Sequence, residues 1–349
     1  MQFISTHDPK VTTDTFKAAF LAGGAPGGGV FLPESPPTLP MAFINNLPGM
    51  TLGEIAYGVA SSVLAEELSA DSIKKLVDST FIPDIPLVDV SGTTYRLELF
   101  HGPTRTHKDF GARFIAGLIR LYMQKEDIKV TMATSVSEST AVSVASAFAD
   151  MPSVDNLLVF NHGALNDVLL RKLKDISPHV HTVELLCDRK RCDSLIRELV
   201  CSESPDGCGY LTTANAMNPA VLLVRVIFFF QAYARLLQTR LEYGHTGDSV
   251  LGSGLVFVIP DSNPAMATAA QLALQMGLPI KRTIIMPEQK IARYGRYLED
   301  GEIGVAIATF PTRTPAVGTL PSQGIRISAT LPALKKFVLS AVCNKASAL

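Results

Sequence analysis

Lys108 has the most specific chemical setting of any residue in this sequence. It follows a loop of turn-forming residues, 101–104, and precedes apolar residues at helical spacing, such as Phe110 and Phe114. This pattern predicts that Lys108 lies at the N-terminus of a helix, where Asp109 in the first turn suits the helix dipole. A lysine held in this way can form an imine with an aldehyde cofactor. The alternative is a solvated surface lysine, the ordinary state of this residue type.

The composition is typical of a chain with a large apolar core. The chain has 349 residues, of which 47% are hydrophobic. That length is sufficient for two or three subdomains. The net charge of −1 provides no bulk electrostatic argument for binding nucleic acid or an acidic membrane. We therefore expect neither kind of partner, and the oligomeric state stays open.

The cysteines and the N-terminus indicate a reducing compartment. The five cysteines include no CxxC pair, and no histidine follows Cys208 at the spacing of a zinc site. Free thiols are the simpler interpretation, so we expect no metal. Residues 1–10 are polar and charged, unlike a signal peptide. These features predict a cytoplasmic protein.

One apolar run, residues 219–237, has nearly the length of a membrane span. Arg225, Gln231 and Arg235 interrupt it, and a central arginine is costly in lipid. The run therefore predicts a buried helix of the protein core.

Strand and helix patterns alternate along most of the chain. Alternation of this kind implies α/β architecture, with parallel sheets covered by helices on both faces. Residues 22–34 are rich in glycine, but they lack the spacing of a dinucleotide loop and a Walker lysine, which favours a structural turn. Residues 36–50 read as a proline-containing linker, and residues 51–79 as two helices with boundaries at Ser69 and Ser79. The predicted strands are 87–92, 95–100, 129–135, 156–162, 179–186, 255–262 and 279–287, and the other predicted helices are 14–21, 139–150, 165–175, 192–200 and 265–277.

The segment around Lys108 resembles the cofactor-lysine motif of threonine synthases. The family reads FHGPT, two variable residues, KDFG and a nearby RF; here residues 100–104, 108–111 and 113–114 match it. Further segments resemble the family in chain order: 133–148 its SGDTGAA helix start, 211–233 its NSANSIN helix, 258–282 its VPSGNFGD segment and 328–337 its STAHPAKF segment.

This resemblance implies the tryptophan synthase β-like fold of pyridoxal phosphate (PLP) enzymes, fold type II, with parallel sheets flanked by helices and an N-terminal threonine-synthase-type subdomain. It implies three parts: 1–90 as the N-terminal subdomain, 91–127 with 201–349 as the large PLP domain, and 128–200 as the small domain. It also implies the family reaction, in which O-phospho-L-homoserine and water yield L-threonine and phosphate.

The resemblance further implies which residues form the site. Lys108 would carry PLP and act as general base, with PLP as the electron sink. Arg113 would face the leaving phosphate, and Ser328 or Thr330 would supply a hydroxyl to the pyridine nitrogen. The remaining implied residues are Ser262, Asn263, Ser139 and Thr140 for the cofactor and Ser137 and Asn215 for the substrate.

Several positions depart from the family pattern. The phosphate loop, residues 261–266, lacks both family glycines, and Pro264 removes one N–H donor. Glu138 adds a negative charge near the expected anion, which repels it unless a cation intervenes. Val221 stands where the family often has arginine, with Arg225 one turn later, and His107 stands where the family usually has phenylalanine.

The segment 309–324 also runs almost directly into the STAHPAKF-like segment, where the family has a long insertion. Three hypotheses follow: an active divergent threonine synthase, a catalytically degenerate relative with a binding or regulatory role, and a PLP lyase with a changed substrate.

Overall fold

The computed structural model describes residues 1–202, 209–247, 250–311 and 324–343. The segment before residue 325, with its expected trimming, lies largely outside these residues. The chain forms two compact units. Unit 1 comprises Met1–Glu34, Gly111–Val221 and Thr314–Leu349, and unit 2 comprises Ser35–Phe110 and Leu222–Arg313. The three-part domain division expected above stays a prediction.

The strands and helices of the described residues follow in chain order. The strands are β1 (Phe3–Ser5), β2 (Thr12–Thr13), β3 (Phe31–Pro33), β4 (Leu87–Asp89), β5 (Thr94–Glu98), β6 (Val130–Ser135), β7 (Val154–Asn161), β8 (Val180–Leu185), β9 (Tyr210–Thr212), β10 (Gly254–Pro260), β11 (Arg282–Met286), β12 (Glu302–Ala308) and β13 (Arg326–Ile327). The helices are α1 (Phe16–Ala22), α2 (Met41–Asn46), α3 (Leu52–Leu64), α4 (Ala70–Thr80), α5 (Lys108–Met123), α6 (Glu138–Ala147), α7 (Asp167–Ile176), α8 (Arg189–Val200), α9 (Pro219–Glu242), α10 (Pro264–Gln275) and α11 (Leu331–Val338).

Unit 1 is built on a parallel five-stranded sheet in the order β13-β8-β7-β6-β9. All six residues of β6 are buried, as expected for a parallel strand covered on both faces. A small antiparallel sheet, β2-β1-β3, forms from the N-terminal segment. The Phe20 carbonyl ties this segment to the unit, because it accepts hydrogen bonds from Thr212 Oγ1 at 2.9 Å and Asn218 Nδ2 at 3.1 Å.

Unit 2 is built on a second five-stranded sheet, in the order β11-β10-β12-β5-β4. All its pairs are parallel except the antiparallel pair of β4 and β5. Within this unit, α9 packs its aromatic residues into the core: Phe229 contacts Phe257 edge-to-face at 4.8 Å and Phe228 contacts Phe110 at 5.3 Å. Although α9 is long and apolar enough for a membrane span, 89% of its most apolar window is buried, which is typical of a core helix.

Local sequence signals account for several boundaries. The helix α3 begins with a capping box, in which Thr51 accepts the Glu54 N–H and Glu54 accepts the Thr51 N–H. Ser69 caps α4, as predicted. The expected linker at residues 36–50 contains the short helix α2. Six of the described strands were not predicted: β1, β2, β3, β9, β12 and β13.

Candidate cofactor site

The loop between β5 and α5 carries Lys108 at the first residue of the helix, as predicted. The lysine is half-buried, and its backbone N–H donates to Thr106 Oγ1 at 3.4 Å. Position and partial burial together make Lys108 a residue of a structured loop rather than of a solvated face.

Asp109 holds this loop in shape. Its carboxylate accepts the Thr104 N–H at 3.0 Å and the Thr104 hydroxyl at 2.6 Å. Gly102 permits the approach, since a Cβ on it would lie 2.5 Å from Asp109 Oδ2. Arg105, with φ of 56°, adopts the left-handed conformation and closes a turn through its N–H to the Gly102 carbonyl at 3.0 Å. The matched FHGPT and KDFG segments therefore form one hydrogen-bonded unit.

A second loop, residues 261–263, leaves the same edge of the unit 2 sheet. It follows β10, and both β10 and β5 are parallel neighbours of β12. Parallel strands end at one edge, so two strand spacings, roughly 10 Å, separate the end of β10 from the end of β5. Ligands of open α/β sheets bind outside the carboxyl ends of the strands. Lys108, Ser262 and Asn263 thus follow strands that end at one such edge.

The backbone donors of this second loop are mostly occupied. The Asp261, Asn263 and Met266 N–H groups donate to the carbonyls of Met286, Pro260 and Asn263. Pro264 is the first residue of α10 and has no N–H. Within residues 261–266, the Ser262 and Ala265 N–H groups have no acceptor among the described residues. The Ser262 hydroxyl donates to Glu288 over 3.4 Å, and the Asn263 side chain makes no hydrogen bond with the described residues.

His107 and Arg225 lie close together beside Lys108. Each is only 5% exposed, and the His107 ring meets Phe310, after β12, edge-to-face at 6.0 Å. Burial, then the charges of Arg225 and Lys108, hold the pKa of His107 well below its usual range. Burial lowers the pKa of Arg225 to about 10. The sequence marked His107 as a departure from the family and Arg225 as a residue one turn beyond another departure, Val221, but it did not predict that the two lie near each other.

The predicted residues of the 137–140 segment begin α6, directly after β6 of unit 1. Ser137 is the N-cap residue, and its hydroxyl lies 2.9 Å from that of Thr140. Ser139 is half-buried and Glu138 is exposed. The N-cap side chain makes no capping hydrogen bond, and the start of this helix carries two hydroxyl groups, an arrangement suited to an anion.

The side-chain amide of Asn215, a residue predicted to bind substrate, forms hydrogen bonds with the Ser135 backbone in unit 1. Its Oδ1 accepts the Ser135 N–H at 2.9 Å and its Nδ2 donates to the Ser135 carbonyl at 3.0 Å. The pair holds the end of β6, from which α6 follows. Asn215 therefore positions this loop, and substrate contact by Asn215 stays a prediction.

The remaining predicted residues also belong to unit 1. Arg113 is half-buried on α5 and makes no hydrogen bond or ion pair among the described residues. Thr330 is the N-cap of α11, and its hydroxyl accepts the Ala333 N–H at 3.4 Å. Ser328 is exposed. Their roles toward a cofactor or substrate stay predictions.

No group of three or more His, Cys, Asp or Glu side chains in the described parts of the chain is arranged to hold a metal ion. Cys187, Cys192 and Cys201 are free thiols, and burial raises the pKa of Cys192 to about 11. A thiol with so high a pKa is protonated near neutral pH and is a poor nucleophile.

Comparisons with known proteins agree with the motifs. Residues 2–81 match the family model described as threonine synthase N terminus. Curated threonine synthases are similar over most of the chain: that of Haemophilus influenzae is 28% identical over 287 residues, covering 82% of this chain and 64% of its own. That of Escherichia coli is 27% identical over 300 residues, covering 86% and 66%. The chain therefore spans less than two thirds of the length of these relatives.

Solved structures establish the fold. The Escherichia coli threonine synthase has a TM-score of 0.80 at 19% identity, covering 98% of this chain and 100% of that one. The PLP-bound threonine synthase of Brucella melitensis has a TM-score of 0.74 at 18% identity, covering 97% and 98%. The fold is that of the threonine synthases, PLP fold type II, as the motifs predicted. In sequence and in fold, this chain is similar to the threonine synthases.

Proposed function

We propose that this protein is a PLP-dependent lyase of the threonine synthase type, which converts O-phospho-L-homoserine and water to L-threonine and phosphate in the cytoplasm. The observation that carries the proposal is the position of Lys108. Lys108 is the first residue of α5, and Asp109 holds the loop before it through a hydrogen bond to Thr104. The strands that precede Lys108 and Asn263 end at the same edge of the unit 2 sheet. The similarity to threonine synthases over most of the chain supports the same activity.

The residues present fit PLP. Lys108 supplies the amine for covalent attachment, and the unbonded Asn263 amide is available to a polar group of the ring. The Ser262 and Ala265 N–H groups, at the start of α10, are available to the phosphate. When bound, PLP supplies an electron sink for charge that develops on the substrate carbons.

Each remaining residue has a separate task in this proposal. The Lys108 amine would remove protons from Cα and Cβ of the substrate, so that the Cγ–O bond breaks and phosphate leaves. A proton is then returned to Cγ, water adds its hydroxyl at Cβ, and Cα is reprotonated. Arg113 neutralises the departing phosphate, since its guanidinium has no partner among the described residues. Ser137 and Thr140 donate hydroxyl hydrogen bonds to an anionic group of the substrate at the start of α6.

The second candidate is a relative that has lost catalysis. The observation that favours it is the 261–266 loop, where Pro264 and three occupied N–H groups leave few donors for a phosphate. A changed substrate is the third candidate. It is favoured by Val221, which is buried against Gly111 in unit 1 and has no group to bind a phosphate.

One experiment separates these candidates. The purified protein is titrated with PLP and its absorbance recorded before and after borohydride reduction, alongside Lys108→Ala. Lys75→Ala is the control, because the Lys75 side chain is 75% exposed. For an active enzyme, the wild type and the control should show the absorbance band of bound PLP, and borohydride should attach the cofactor to them irreversibly. Lys108→Ala should retain no PLP after reduction. The absence of any band in the wild type would refute both enzyme candidates. With a band, release of phosphate from O-phospho-L-homoserine distinguishes a threonine synthase from a lyase with a changed substrate.

A further inference from the structure

Unit 2 contains a buried cation that has no partner in the described structure. Arg225 Nε and Nη1 are enclosed and make no hydrogen bond. The third nitrogen, Nη2, also has no partner among the described residues, and Arg225 as a whole is only 5% exposed. No ion pair joins its guanidinium to a carboxylate of the described residues.

The side chain of His107, near Arg225, is also buried with polar atoms that lack a hydrogen-bond partner. Both ring nitrogens are enclosed without a complete hydrogen bond, although the Thr309 backbone lies close enough to favour the protonated form. Lys108 also acts on this ring through its charge. An arginine with no hydrogen bond or ion pair to the described residues therefore lies near an imidazole whose two nitrogens are both enclosed.

This arrangement is unfavourable for the ligand-free protein. A buried charge without a partner loses its hydration and gains nothing in return, and an apolar side chain of similar size is often more stable at such a position. Packing alone therefore gives no reason for an arginine here. An anion that enters beside Nη2 would satisfy the enclosed donors and neutralise the charge.

We propose that Arg225 and His107 form a phosphate-binding site in unit 2, adjacent to Lys108. The planar guanidinium binds two phosphate oxygens at once, which suits a tetrahedral dianion. The imidazole, uncharged before binding, donates one further hydrogen bond. The site takes either free phosphate or the phosphate of an ester such as PLP or a phosphorylated amino acid. It stands on these contacts whether or not Lys108 carries a cofactor.

The direct test measures the binding of inorganic phosphate by calorimetry at constant ionic strength. The wild type is compared with Arg225→Met, which preserves length and burial without charge, and with His107→Phe. Arg235→Met is the control, since Arg235 lies on the same helix, is 40% exposed in its side chain, and pairs with Asp84. We expect Arg225→Met to lose at least about tenfold in phosphate affinity. His107→Phe should lose less, and the control nothing.

Thermal unfolding without phosphate distinguishes this loss from misfolding. Arg225→Met should unfold at the same or a higher temperature than the wild type, because it removes an uncompensated charge. Equal phosphate affinity in the wild type and Arg225→Met, or no phosphate binding by the wild type, would overturn the proposal. Neither result bears on the cofactor band of Lys108, so the two proposals fail separately.

Further titrations identify the source of the phosphate. A loss by Arg225→Met toward PLP but not toward unphosphorylated pyridoxal assigns the site to the cofactor phosphate. A loss toward O-phospho-L-homoserine, measured in the Lys108→Ala background, assigns it to the substrate. A loss toward inorganic phosphate alone assigns it to the free ion.

Discussion

Asp109 accepts both the backbone N–H and the hydroxyl of Thr104, at 3.0 and 2.6 Å. The residue after the lysine thus binds the loop that precedes the lysine. Asp109 is buried, so the two hydrogen bonds act where water competes little. This contact explains why the FHGPT and KDFG segments occur together: each fixes the other, and together they fix Lys108.

The tight approach of Gly102 to Asp109 makes this glycine sensitive to substitution. A Cβ at Gly102 would lie 2.5 Å from Asp109 Oδ2, so Gly102→Ala must displace the carboxylate. We expect a loss of about 1–3 kcal/mol in the free energy of unfolding, measured with urea. Gly49→Ala is the matched control, because no atom lies within 4 Å of its Cβ position. Equal stability of the two variants would contradict the described contact.

The two predicted site asparagines should respond differently to alanine. Asn215→Ala removes both bonds to the Ser135 backbone and leaves those groups partly unsatisfied, so we expect a loss of about 1–3 kcal/mol in the free energy of unfolding. Asn263→Ala should leave this free energy nearly unchanged, because its side chain bonds none of the described residues. PLP titration should then show weaker binding by Asn263→Ala. A larger loss of stability in Asn263→Ala than in Asn215→Ala would contradict this assignment and make Asn263 the structural residue.

Pro264 removes one N–H from the 261–266 loop, and Pro264→Gly should improve the binding of PLP by this loop if the loop holds the cofactor phosphate. The substitution restores an N–H at the first residue of α10 and permits closer approach of an anion. One charge-assisted hydrogen bond corresponds to on the order of tenfold in affinity, which we expect in the dissociation constant for PLP. Pro332→Ala, at the start of α11, is the control for removing a helix-initiating proline. If Pro264→Gly binds PLP no better than wild type, the cofactor phosphate is held elsewhere.

Glu302 should make stability depend on pH in the acid range. Hydrogen bonds from Arg282, with smaller contributions from Glu299 N–H and Lys281, lower the pKa of Glu302 to about 2 from an ordinary value of 4.5. A lowered pKa in the folded state means that the stabilisation is present above pH 4.5 and is lost as the pH falls toward 2. Glu302→Gln should therefore reduce stability at pH 7 and flatten its decline between pH 5 and 3, measured by urea unfolding across that range.

The control for this measurement is Glu299→Gln, since the Glu299 side chain is 68% exposed and contributes less to the same charge network. Its stability should follow the wild-type pH profile. If the free energy of unfolding of Glu302→Gln still falls steeply between pH 5 and 3, another carboxylate causes the acid sensitivity.

Much of the fold could be predicted because its signals are local. The start of α5 follows from Asp109 and the apolar spacing after it, and the apolar run of β10 is bounded by turn residues. The strand β12 was missed, because a strand buried on both faces has no alternating pattern to mark it. The helix α2 was missed because Pro40, read as part of a linker, precedes its first residue.

The site could be predicted only in part, for a related reason. The motif around Lys108 is contiguous, so sequence alone defines it. The proximity of His107 to the charge of Arg225 and its ring contact with Phe310, after β12, involve three separated segments, and no local pattern encodes them. The amide of Asn215 likewise bonds a residue 80 positions earlier, a partner that its own neighbours do not reveal.

The three stretches that make up unit 1 set the order in which it can fold during synthesis. The Phe20 carbonyl can accept its hydrogen bonds only after Thr212 and Asn218, nearly two hundred residues later, have been synthesised. The outer edge of β8 stays open until Arg326–Ile327 leave the ribosome and pair with it. Contacts so distant in sequence slow folding, and an open strand edge can pair with another chain. The nascent protein therefore has an aggregation-prone interval that ends only when β13 pairs with β8.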